Sequence, residues 1–102
     1  MRPSTDREAI TLILQGLVDT GHTIYEVADD TWNLDQRWQV SMVETAVDYV
    51  DNVDEAYVFL LTPNREDAWI RFVLGNEPEE VANDYTTNLD PHLSRIVDPW
   101  WK

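Results

Sequence analysis

Two apolar runs, Glu55 to Thr62 and Ala68 to Leu74, flank the segment Pro63-Asn64-Arg65-Glu66-Asp67. Each run has the length of a strand and is far too short to cross a bilayer. The segment between them is rich in turn formers, so the pair reads as a β-hairpin with an extended loop. Both runs are apolar at nearly every position. Strands of that kind sit centrally in a sheet, with at least one face under helices. Tyr57, Phe59, Trp69 and Phe72 are accordingly expected in the core.

Helices to cover such a sheet are visible on either side. Thr5-Asp6-Arg7-Glu8 has the spacing of a capping box, and Ile10, Ile13, Leu14 and Leu17 follow as a core-facing stripe. Gly21 after Thr20 is a helix stop. A second capping box, Ser41-Met42-Val43-Glu44, opens a helix over about Met42 to Asn52, with Val43, Ala46, Val47 and Val50 on one side. Between these helices, Thr23 to Ala28 reads as a strand and Asp29 to Asn33 as a turn. Arg37 to Val40 reads as a short strand; the alternative is a helix that starts earlier, capped at Asn33. Asn76-Glu77-Pro78-Glu79 reads as a further helix start, because Pro and acids suit a first turn. A last helix, Asp90 to Val97, is closed by Asp98-Pro99.

The expected fold is therefore α+β, a single small domain over residues 1–102 in the order α-β-β-α-β-β-α, with a mainly antiparallel sheet packed by helices. A chain of 102 residues suffices for one core without staples. Cysteine is absent, which excludes disulfides and thiol chemistry and fits a reducing cytoplasm. Met1 to Glu8 is polar and lacks the apolar core of a secretory leader.

Charge narrows the function. Twenty acidic residues face seven basic ones, a formal net charge of −13. A surface that negative repels nucleic acid and anionic membranes, so direct binding to either is not expected. The chain is no disordered acidic tail, since 43% of it is hydrophobic and it holds five Trp. The sharpest local pattern lies on the second helix. At 100° per residue Glu44, Asp48, Asp51 and Glu55 fall within about 60° of one another and span about 16 Å. Such a ladder offers carboxylates to the Arg and Lys of a basic groove, or is simply a solvated helix face. Asp29, Asp30, Glu77, Glu79 and Glu80 extend the acidic surface. Trp32, Trp100 and Trp101 are candidate aromatic anchors; for the terminal Trp pair, sealing the core is the competing reading.

Catalytic chemistry finds little support. There is no nucleophile motif and no phosphate-cradling glycine loop. His22 and His92 are far apart in sequence and lack metal-ligand spacing, so neither a metal nor another cofactor is expected.

The stretch from Trp69-Ile70-Arg71-Phe72-Val73-Leu74-Gly75-Asn76-Glu77-Pro78-Glu79-Glu80-Val81 through Asn88-Leu89 resembles a segment of small acidic proteins of phages and prophages. The resemblance transfers no site residues. It implies an accessory gene of a mobile element, acting in a bacterial host cytoplasm. By analogy it implies an anti-restriction or anti-CRISPR inhibitor that imitates nucleic acid and docks on a basic host nuclease or CRISPR-type complex. The alternative is a structural or regulatory protein-interaction module whose acids serve only solubility.

Overall fold

The structure is a computed structural model that describes residues 2–29 and 36–101, without the side chain of Trp101. It is a small α+β fold of three helices and a five-stranded antiparallel sheet. Helix α1 (Asp6–Asp19) leads into β1 (Thr23–Asp29) and β2 (Arg37–Gln39), then α2 (Val43–Val53) and the hairpin β3 (Glu55–Leu61) and β4 (Asp67–Val73). A single 3-10 turn, Pro78–Glu80, precedes β5 (Ala82–Tyr85), and α3 (Asp90–Val97) follows a second such turn. The sheet order is β2-β1-β3-β4-β5, so the hairpin contributes the central strand and its neighbour, as its composition demands.

The order therefore runs α-β-β-α-β-β-β-α, one strand more than the sequence pattern indicates. The acidic, proline-led segment after Asn76 makes one tight turn and stops. Val81 and Ala82 then join the edge of the sheet, with Val73 N–H donating to Val81 O at 2.9 Å and Ala82 opposite Phe72. The helix alternative capped at Asn33 does not hold for residues 37–39, which pair with β1. The turn over Asp29 to Asn33 falls largely outside the described residues.

Local chemistry accounts for the ends of α1. Thr5 Oγ1 accepts from Glu8 N–H at 3.1 Å, while the Glu8 carboxylate accepts from Ser4 instead of closing the box. At the other end His22 N–H reaches Leu17 O and Gly21 N–H reaches Val18 O, both at 3.0 Å. That is a Schellman closure, and it needs the positive φ of 96° that Gly21 supplies. Helix α2 begins one residue later than its capping box suggests. Val40 stays tied to β1 through its N–H to Tyr25 O at 3.2 Å, so Met42, not Ser41, takes the N-cap position and offers no side-chain bond.

All three helices lie on one side of the sheet. Ile10, Ile13, Leu14 and Leu17 of α1, Ala46, Val47 and Val50 of α2 and Leu93 of α3 form one core with Ala56, Val58, Leu60, Ala68, Ile70 and Phe72. Along β3 and β4 every second residue is fully buried and those between are half-buried or exposed. The core thus occupies one face of the sheet alone. Among the described residues, no helix is long and apolar enough to cross a membrane.

Candidate functional site

The proposed carboxylate ladder is shorter than its spacing suggests. Glu44, Asp48 and Asp51 do lie exposed on α2. The helix ends at Val53, however, and Asp54 caps it in the left-handed conformation with φ of 68°. That reversal carries Glu55 off the helix and into β3, where it meets Arg71 Nη2 at 3.4 Å on the sheet. The remaining ladder is also partly neutralised. Arg7, reaching across from α1, forms an ion pair with Asp48 and lies 3.3 Å from Asp51. The hydrogen bond that Arg7 donates to Asp48 is the main cause that raises the Arg7 pKa above its ordinary value.

The other acids divide by position. Glu77 and Glu80 are exposed, but the Glu79 side chain turns inward and is only 4% accessible. Its carboxylate accepts from its own backbone N–H and from Arg2 Nε at 2.7 Å, and these bonds hold its pKa below the usual range. Asp29 is buried at the end of β1 and is no part of an acidic surface. It faces the core side because it pairs with Ala56, a core position. Asp30 and Trp32 lie outside the described residues, as does the side chain of Trp101. Trp100 is 4% exposed and belongs to the core cluster, so it seals the fold and is not an anchor.

The feature that sequence reasoning missed is the second face of the sheet. Tyr57, Phe59 and Trp69 are not core residues; they stand at the alternate positions of β3 and β4, away from the helices. Tyr25, displaced outward where the β1–β3 register slips, joins them and is 38% exposed. The rings form a continuous row. Tyr25 lies 6.3 Å from Phe59, Phe59 lies 6.2 Å from Tyr57, and Tyr57 meets Trp69 edge to face at 5.3 Å. Arg37 sits over Phe59, its guanidinium carbon 5.6 Å from the ring centre, and pairs with Glu26 at 2.9 Å. Burial first, and the nearby Asp67 second, raise the pKa of the Tyr25 hydroxyl, which donates to Asp67 at 3.3 Å. A sequence signal for this face exists. In Ala56-Tyr57-Val58-Phe59-Leu60 and Ala68-Trp69-Ile70-Arg71-Phe72 the aromatic residues of the first alternate with aliphatic ones, and Glu55 and Arg71 mark the side that meets water.

The fold also brings His22 and His92 together, with ring centroids 4.5 Å apart. His22 Nδ1 lies 3.0 Å from Leu17 O, and a carbonyl only accepts, so Nδ1 carries the proton. Thr20 Oγ1, 3.2 Å from the same nitrogen, therefore faces a donor and is not activated as a nucleophile. Among the described residues no group of three or more His, Asp or Glu side chains is arranged to hold a metal ion.

No protein-family model, curated protein or solved structure matches the chain.

Proposed function

We propose that the chain is a non-enzymatic binding protein that docks on a basic surface of a protein partner. The observation that carries this reading is how the arginines are used. Arg2, Arg7, Arg37 and Arg71 are each joined to a carboxylate of the same molecule, in a chain of net charge −13. Exposed Glu44, Glu77 and Glu80, which form no ion pair among the described residues, present the surplus outward. A surface of one sign steers a partner of the opposite sign and fixes its orientation. The resemblance of residues 69–89 to small acidic phage proteins supports a partner among host nucleic-acid-processing or defence complexes.

A second reading is favoured by the ring-bearing sheet face: docking through that face, with the acids serving solubility. Salt and charge neutralisation separate the two. A partner captured from a bacterial lysate is titrated with the parent chain and with Glu44→Gln/Asp48→Asn/Asp51→Asn at low and high NaCl. Charge-driven docking predicts an affinity that falls steeply with salt and weakens in the triple variant. Affinity indifferent to both changes would leave the apolar reading standing alone.

A further inference from the structure

The row of rings on the open sheet face serves the core little. The helices pack against the opposite side, and among the described residues no element covers Tyr25, Tyr57, Phe59 and Trp69. A contiguous aromatic patch that no helix covers, half-buried apart from the exposed Tyr25, marks an interaction surface. What the patch would bind follows from what surrounds it.

Acids ring it: Glu26 on β1, Glu55 at one end of β3, Asp67 at the start of β4, and Asp84 on β5 opposite Arg71. The cations on the same face are already engaged. Arg37 is held by Glu26, and Arg71 by Glu55 at 3.4 Å and by Asn83 at 2.6 Å. Aromatic sheet faces also stack the bases of single-stranded nucleic acid. Here a phosphate backbone would approach a molecule of net charge −13. A second copy of the chain would bring the same sign of charge. Complementarity selects a cationic polypeptide.

The face contains a worked instance of such recognition. The Arg37 guanidinium has the Phe59 ring beneath it and the Glu26 carboxylate beside it, which satisfies both its π-facing plane and its charge. Farther along the face Tyr25 is bonded to Asp67, and Tyr57 and Trp69 meet each other edge to face. We propose that the open face of the sheet is the docking surface for an arginine-bearing segment of a protein partner, whose guanidinium groups stack on Tyr57, Trp69 and Tyr25 between Asp67 and Asp84. This inference rests on the docking of a basic partner proposed above and adds a contact on the face of the sheet opposite α2.

Oligoarginine and oligolysine peptides of equal length test it by calorimetric titration into the intact chain at low ionic strength. Oligoarginine should bind about tenfold more tightly, because guanidinium stacks on rings better than ammonium does. Trp69→Leu and Tyr57→Leu should remove that preference while leaving the oligolysine affinity unchanged. Tyr25→Ser, at the exposed rim, should reduce it without disturbing the fold. In the parent chain the arginine Cδ protons should shift upfield on binding, a ring-current readout that needs no variant. Equal affinity for the two peptides, or a preference that survives the ring variants, overturns the ring-face assignment and leaves charge-driven docking in place. No binding of either peptide at low ionic strength overturns both.

Discussion

His22, just past the end of α1, and His92, on α3, meet edge to face with their ring centroids 4.5 Å apart. His22 Nε2 and His92 Nδ1 are both buried without a hydrogen-bond partner among the described residues. Burial first, and then the neighbouring His92, lower the His22 pKa from its ordinary value of 6.5. The unfolded chain therefore takes up the His22 proton at a higher pH than the folded one. Where the unfolded state binds more protons, stability rises with pH. The contribution is complete above the unfolded value and is lost as pH falls below it towards the lowered folded value. Melting temperature should thus drop between pH 7.5 and 5.5, and His92→Phe should flatten that slope. A melting temperature constant across this window would contradict the burial argument.

Salt should act in the opposite sense to the one expected of a fold held by ion pairs. The exposed pairs of Arg7 and Arg37 contribute little, because solvent screens them. Self-repulsion from a net charge of −13 is spread over the whole molecule and is screened by the same ions. The melting temperature should rise with added NaCl, as followed by circular dichroism.

The two sides of β4 should differ sharply in cost. Phe72 is fully buried in the core, and Phe72→Ala should destabilise by about 3–5 kcal/mol. Trp69, three residues earlier on the other side, should cost about 1 kcal/mol when changed to Leu. Urea denaturation of the two variants provides the comparison.

The helix starts offer a matched pair. Thr5→Ala removes the acceptor of Glu8 N–H and should cost about 1 kcal/mol. Met42 caps α2 with no side-chain bond and is 61% exposed, so Met42→Ser should stabilise by about 0.5–1 kcal/mol. Chemical denaturation reads both.

Gly16 marks where α1 and α3 approach. A Cβ there would lie 2.7 Å from Ile96 Cδ1 and 2.9 Å from Cγ1, so Ile96 must leave its position. Gly16→Ala alone should destabilise. Added to Ile96→Ala it should instead stabilise by about 1 kcal/mol, the difference in helix propensity.

Much of this architecture is legible from spacing. The stripe Ile10, Ile13, Leu14, Leu17 and the closing Gly21 define α1, and the two apolar runs define the central hairpin. Strand β5 is not legible, because Ala82-Asn83-Asp84-Tyr85 has no apolar alternation and gains its place by pairing with β4. The acidic ladder is half legible. Helical spacing places Glu44, Asp48 and Asp51 correctly, but nothing in it announces the reversal at Asp54 that sends Glu55 to the sheet. The ring face is only faintly legible, because the near-continuous apolar character of both runs outweighs the alternation that Glu55 and Arg71 mark. The histidine pair is a product of tertiary packing alone.

Because the helices cover only one side of the sheet, β3 and β4 carry two interleaved messages. Even-numbered residues, from Ala56 to Leu60 and from Ala68 to Phe72, specify the fold. Odd-numbered ones, from Tyr57 to Phe59 and from Trp69 to Arg71, are released from that duty. Substitutions in the odd series can accumulate at little cost to folding, so the chemistry of this face can change while the core stays as it is.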